Sequence, residues 1–154
     1  MGVLMHTRQN VLPKLTTAFA LFVMFTGQLL LSSSVSAQNQ LFIVVNSQSQ
    51  LDLNKQQIRN VFMGSANNLG LEPVNLSTGD LCRTLFNLKV VGLTESRIQS
   101  YWAQMRFSGR MKPPKEVDTE LEAIAFVSQN RNAIAYVSSV EALPETVKIL
   151  FVVD

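Results

Sequence analysis

The sequence predicts an α/β protein, a small three-layer sandwich with a mostly parallel sheet, and three observations carry that expectation. Continuous apolar runs of strand length, LFIVV at 41–45 above all, read as strands covered on both faces. Other segments repeat apolar residues at the three-and-four spacing of a helix. The two kinds alternate along the chain, which is the order of a sheet whose strands are joined by crossover helices.

Residues 41–45 are rich in β-branched side chains and belong at the centre of the sheet. Asn54 with Gln57 three later forms a capping box, Ile58, Val61 and Phe62 share one face of the helix that follows, and Gly64 closes it. After a loop of Asn, Ser and Gly, Pro73, Val74 and Leu76 make a short strand, and residues 77–80 a turn. A helix runs from Leu81, with Leu81, Leu85, Phe86 and Leu88 expected inward, to Gly92. Thr94 caps the next helix, whose apolar face is Ile98, Tyr101, Trp102 and Met105; Trp102 reads as core rather than as a stacking platform. Residues 106–115 contain Arg106, Arg110, Lys112 and Lys115 and no acid. They read either as a solvated loop stiffened by Pro113 and Pro114 or as a contact for an anion or acidic partner. Thr119 with Glu122 starts a last helix carrying Leu121, Ile124, Ala125 and Val127 inward, and the Asn residues at 130 and 132 supply its left-handed C-terminal turn. Residues 133–137 and 147–153 are further strands.

Residues 1–37 have the form of a cleaved secretory signal: Arg8 and Lys14, then an apolar run, then small residues ending Val-Ser-Ala. A retained membrane anchor is the alternative, weighed against by the cleavage pattern, so no stable anchor is expected after cleavage. The expected product is a single periplasmic domain, residues 38–154. Two of the 13 Lys and Arg lie in the signal and all 11 Asp and Glu lie after it, so the exported part is formally neutral. A neutral chain lacks the net basic face that nucleic-acid binding needs. Cys82 is the sole cysteine and His6, in the signal, the sole histidine. No intramolecular disulfide can form, and Cys82 reads as a small buried side chain, with an intermolecular bridge as the alternative. The missing imidazole removes most Ser and Cys nucleophile chemistry and most catalytic zinc sites. No nucleophile and base pair, metal-ligand set or nucleotide loop is visible, so no enzyme, metal or cofactor is expected.

The turn before Leu81 is the one stretch with recognisable ligand chemistry. Free backbone N–H groups at a helix start, with Ser77, Thr78 and Gly79 before it and Arg83 one turn in, suit an oxyanion. The plain alternative is a capped helix start without a ligand.

Three stretches resemble the phosphate-binding family of periplasmic solute-binding proteins: IRNVFMG at 58–64, like that family's IFLG helix end; Tyr101-Trp102 followed by Phe107-Ser-Gly109; and NRNAIAYV at 130–137, like its NPGAIGYV turn into a strand. With residues 41–46 and the last strand, the likeness covers nearly all of 38–154. It implies one lobe of a type II periplasmic-binding-protein fold, and a phosphate-like oxyanion held by Ser77, Thr78, Gly79 and Arg83, with Arg110 as a second cation. Two departures stand beside it. The family's Ser-Gly-Thr turn, six residues before a Phe, falls here on Asp80, Leu81 and Cys82. The chain also matches one lobe where family members have two, so a tight ligand site calls for a second lobe from another chain. The sequence therefore carries two functions: an exported oxyanion-binding module of the phosphate ABC transport type, or a periplasmic structural or interaction protein with the same fold and an exported protein partner.

Overall fold

The computed structural model describes Gly2 and residues 40–141 and 143–154, so the expected export segment, residues 1–37, lies otherwise outside the described residues. Among the described residues five strands and four α-helices follow one another: β1 (Leu41–Asn46), α1 (Lys55–Phe62), β2 (Glu72–Leu76), α2 (Leu81–Phe86), α3 (Glu95–Phe107), β3 (Lys115–Val117), α4 (Glu120–Gln129), β4 (Ala133–Val137) and β5 (Val147–Val153). The sheet order is β3-β2-β4-β1-β5. β2 pairs parallel with β3 and β4, while β1 pairs antiparallel with β4 and β5. Four strands therefore point one way and β1 runs against them, which makes the sheet mostly parallel, as expected. β1 and β4 are buried almost throughout, the mark of strands covered by helices on both faces. Among the described residues no helix is long and apolar enough to cross a membrane.

An aromatic stack pins the helices to the sheet. Phe86 of α2 lies flat against Tyr136 of β4 with centroids 4.1 Å apart, and Phe62 of α1 meets Phe86 at 4.5 Å. The Tyr136 hydroxyl is buried and accepts the Leu76 amide at 3.1 Å, tying β4 to the end of β2. Burial pushes this phenol up, beyond any physiological ionisation.

The caps behave largely as the residues dictate. The Asn54–Gln57 box closes from both sides. At α4 only half the expected box forms: Thr119 Oγ1 accepts the Glu122 amide, and the Glu122 carboxylate reaches back to the amide of Asp118. Gly64 follows α1 with φ +75°, and a β-carbon there would stand 2.8 Å from Met111 Sδ and 3.1 Å from the Trp102 ring. Only glycine satisfies both the left-handed backbone and that close approach.

Four local expectations are corrected. α2 turns a face set by Cys82, Arg83 and Phe86 inward, continued by Asn87, Val90 and Val91 through the π-turn Asn87–Val91, whereas Leu81 and Leu88 are exposed. In α4 the buried face is Ala123, Ile124 and Val127, with Leu121 and Ala125 outside. In α2 Arg83 claims the inward side by its ion pairs and Leu81 faces solvent; in α4 Glu120, at the first position, bonds to Ser138 at the surface and Leu121 beside it is exposed. Asn130 does not turn left-handed: it stays extended, and its side-chain amide donates to the Phe126 carbonyl at 2.8 Å, satisfying the helix end another way. Finally, β3 lies at the edge of a stretch read as loop, three residues being too short for a periodicity to register.

Candidate functional site

The residues expected to hold an oxyanion gather where β2 ends. Ser77, Thr78 and Gly79 form the turn, Asp80 caps α2 by accepting the Arg83 amide at 3.1 Å, and β3 runs alongside in register, Leu76 opposite Val117. That register brings the acids of β3 and its exit onto the turn. Ser77 Oγ donates to Asp118 at 2.7 Å and to the Val117 carbonyl at 3.2 Å. The Thr78 amide donates to Glu116 Oε1 at 3.3 Å. Oxygens of the protein's own carboxylates thus stand where a ligand's oxygens would be received.

Arg83 is committed inward. Its guanidinium is 3% exposed and makes three kinds of contact: Nη1 donates to the Leu76 carbonyl at 2.5 Å, Nε and Nη2 clamp Glu95 at 3.0 and 2.6 Å, and Nη1 stands 3.1 Å from Glu116. Burial pulls its pKa down, but the hydrogen bonds from Glu95 and Glu116 outweigh that, and the side chain stays charged. Glu95 shows the mirror image: burial raises its pKa, the bonds from Arg83 and Gln99 lower it more, and the net shift is downward. Asn87 completes the clamp by donating to Glu95 at 2.7 Å. The arrangement is a buried strut joining β2, α2 and α3.

Cys82, at the third of the positions where the family's Ser-Gly-Thr turn would fall, is 4% exposed. Burial pushes its thiol up, with Glu120 and Asp80 adding to the shift, so it is a packed neutral side chain rather than a reactive thiolate. Arg110 is not brought to the turn. It lies on the loop that enters β3, at the opposite end of the parallel strands from Ser77.

That opposite end holds a cleft sequence reading missed. Trp102 and Phe126, with Pro73, Pro113 and Pro114, line a cavity of about 290 Å³ whose rim carries Lys112 and Lys115, and also the carboxylate of Glu72. Lys115 Nζ sits 4.0 Å over the Phe126 ring. Glu95, Glu116 and Asp118 at the turn were missed as well. A Lys-Glu-Val-Asp run hints at strand alternation, but only the pairing of β3 with β2 carries those acids to Ser77.

Solved structures share this architecture. An assigned phosphate ABC transporter substrate-binding protein with bound phosphate from Clostridium perfringens matches with a TM-score of 0.56 at 18% identity, over 71% of this chain and 43% of that one. The fold is shared with phosphate ABC transport receptors. An ABC-type phosphate transport receptor from Vibrio cholerae matches at 0.51 and 17% identity, over 74% and 47% of the two chains. PstS from Borrelia burgdorferi matches at 0.52 and 10% identity, over 73% and 50%. The chain spans about half the length of these proteins or less. No family model and no curated protein sequence matches it.

Proposed function

We propose that this chain is an exported, periplasmic protein that uses the solute-binding fold as a protein-interaction module, with the turn at Ser77, Thr78 and Gly79 closed by its own carboxylates. One observation carries the reading: Glu116 and Asp118 take the turn's donors while Arg83 is buried against Glu95 and Glu116. A phosphate dianion arriving there would meet Asp80, Glu116 and Asp118 at close range, and like charges at such distances strongly disfavour binding. The Arg83 charge that would offset them is already neutralised. Export rests on the form of residues 1–37.

A second reading, an oxyanion-binding module as in the phosphate receptors, is favoured by one specific feature. Ser77 Oγ and the Thr78 amide already hold carboxylate oxygens, and a ligand able to displace Glu116, which is half exposed, would find the donors in place. Thermal melts across phosphate, sulfate and small carboxylates separate the two. A ligand at a hundred times its Kd adds about 2.7 kcal/mol to the native state. The interaction reading expects no raised midpoint with the wild type. A shift with phosphate, lost in Ser77→Ala, overturns it in favour of the second.

A further inference from the structure

We propose that the cleft at the amino end of β2 and β3 docks an acidic segment of a partner protein, with one apolar side chain of that segment seated against Trp102. The proposal rests on the interaction reading above and names its surface and the partner's chemistry. The cavity floor is apolar and rigid: Trp102 is 4% exposed, Gly64 brings the chain within contact of it, and the Tyr101 hydroxyl fastens α3 to the Met63 carbonyl at 2.9 Å. Pro113 and Pro114, whose rings fix φ, stiffen one wall before any partner arrives, which lowers the ordering cost of binding.

Beside the cavity, and sharing Lys112 and Pro113 with it, lies a second basin of about 650 Å³ lined by Arg106, Arg110 and Met111. Among the described residues both salt bridges belong to Arg83, so Arg106, Arg110, Lys112 and Lys115 form a cationic rim free of ion pairs. Among the described residues Glu72 is the only carboxylate lining either cavity. Phe107, at the end of α3 next to this loop, is 97% exposed. Aromatic side chains in the socket, with Met and Arg in the basin beside it, are the composition of an interface centre, and the charges select an acidic partner. A free small molecule suits the place less well. Ligand sites bury most of their ligand, and here Arg106, Arg110, Lys112 and Pro113 are all exposed along an open basin.

Trp102 is the only tryptophan, so its emission reports the socket directly. The full exported protein is titrated with a synthetic peptide of one Phe flanked by Asp and Glu, with a Lys-flanked version as control. The expected result is a saturable change in Trp102 emission with the acidic peptide, weakened at least tenfold by added salt or by the double variant Lys112→Glu/Lys115→Glu, and absent with the basic peptide. Both lysines are exposed, and an unchanged melting midpoint verifies that the variant is folded. No saturable change, or equal binding of the basic peptide, overturns the docking site; the interaction reading is judged separately by the anion melts. A free aromatic carboxylate such as phenylpropionate binding as tightly as the peptide also overturns it, in favour of a small-molecule cleft.

Discussion

The two ends of the parallel strands hold the same kinds of residue in opposite states. At the carboxyl end the charges are paired around one buried cation: Arg83 lies between Glu95 and half-exposed Glu116, while Asp118 accepts from Ser77 and Asp80 caps α2. At the amino end Lys112 and Lys115 rim an apolar socket with Glu72, Arg106 and Arg110 line the basin beside it, and Lys115 stands over an aromatic face. A buried charge must be matched inside the fold or the fold is lost, so the carboxyl end is structural first. An exposed charge in water contributes little to stability, so the amino end can be shaped for encounter. Where ions are satisfied they build the protein, and where they are left open they are available to something else.

The largest effect that sharpens this contrast is expected at Arg83. Arg83→Met leaves Glu95 and the Leu76 carbonyl without their partner and should cost about 3–5 kcal/mol, read as a lowered denaturant midpoint. A loss below 1 kcal/mol would mean the strut is not structural. Gly64→Ala comes next, at roughly 1–3 kcal/mol, because the added β-carbon meets Met111 and the backbone there is left-handed. Unlike the first variant it should also shift Trp102 emission. Asp80→Ala removes the α2 cap and should cost about 1 kcal/mol by the same midpoint measurement.

The Glu95 carboxyl adds a pH dependence of known sign. Its folded pKa is lowered below the ordinary 4.5, so its contribution is complete above that value and is lost as pH falls through the folded one. Stability should therefore decline below about pH 4.5, with a shallower decline in Glu95→Gln, as measured by denaturant midpoints from pH 7 to 3. The smallest effect is expected at the amino end: Lys112→Glu with Lys115→Glu should change stability by no more than about 0.5 kcal/mol. A larger loss would show that these lysines are structural and erase the difference between the ends.

Much of the fold is legible in the residues. The run at 41–45 marks a covered interior strand, next to the central β4, the Asn54 box and Gly64 bracket α1, Thr119 caps α4, and Thr94 stands at the start of α3 without a side-chain capping bond. These signals are local, since caps act within one turn and apolar runs within one element. The fate of the turn is not legible in that way. Ser77, Thr78 and Gly79 keep the composition of an anion site, yet Glu116 and Asp118 lie about forty positions along the chain and reach the turn only through strand pairing. The rotation of α2 was hidden for a related reason: Arg83 faces inward because Glu95 awaits it there, and no single-helix periodicity weighs a distant partner against a Leu.

By itself the sequence determined the α/β class, the order of every element but β3, a covered interior strand and the absence of histidine and of a disulfide pair from residues 38–154, because these depend on composition and on contacts within a few residues. Tertiary structure alone decided that Arg83 is a strut, that the donors of the turn at Ser77 and Thr78 meet the chain's own carboxylates, and that Trp102 and the basic loop line one cleft. Charge compensation and cavity shape are set by residues far apart in the chain, and only the fold brings them within a few ångströms of each other.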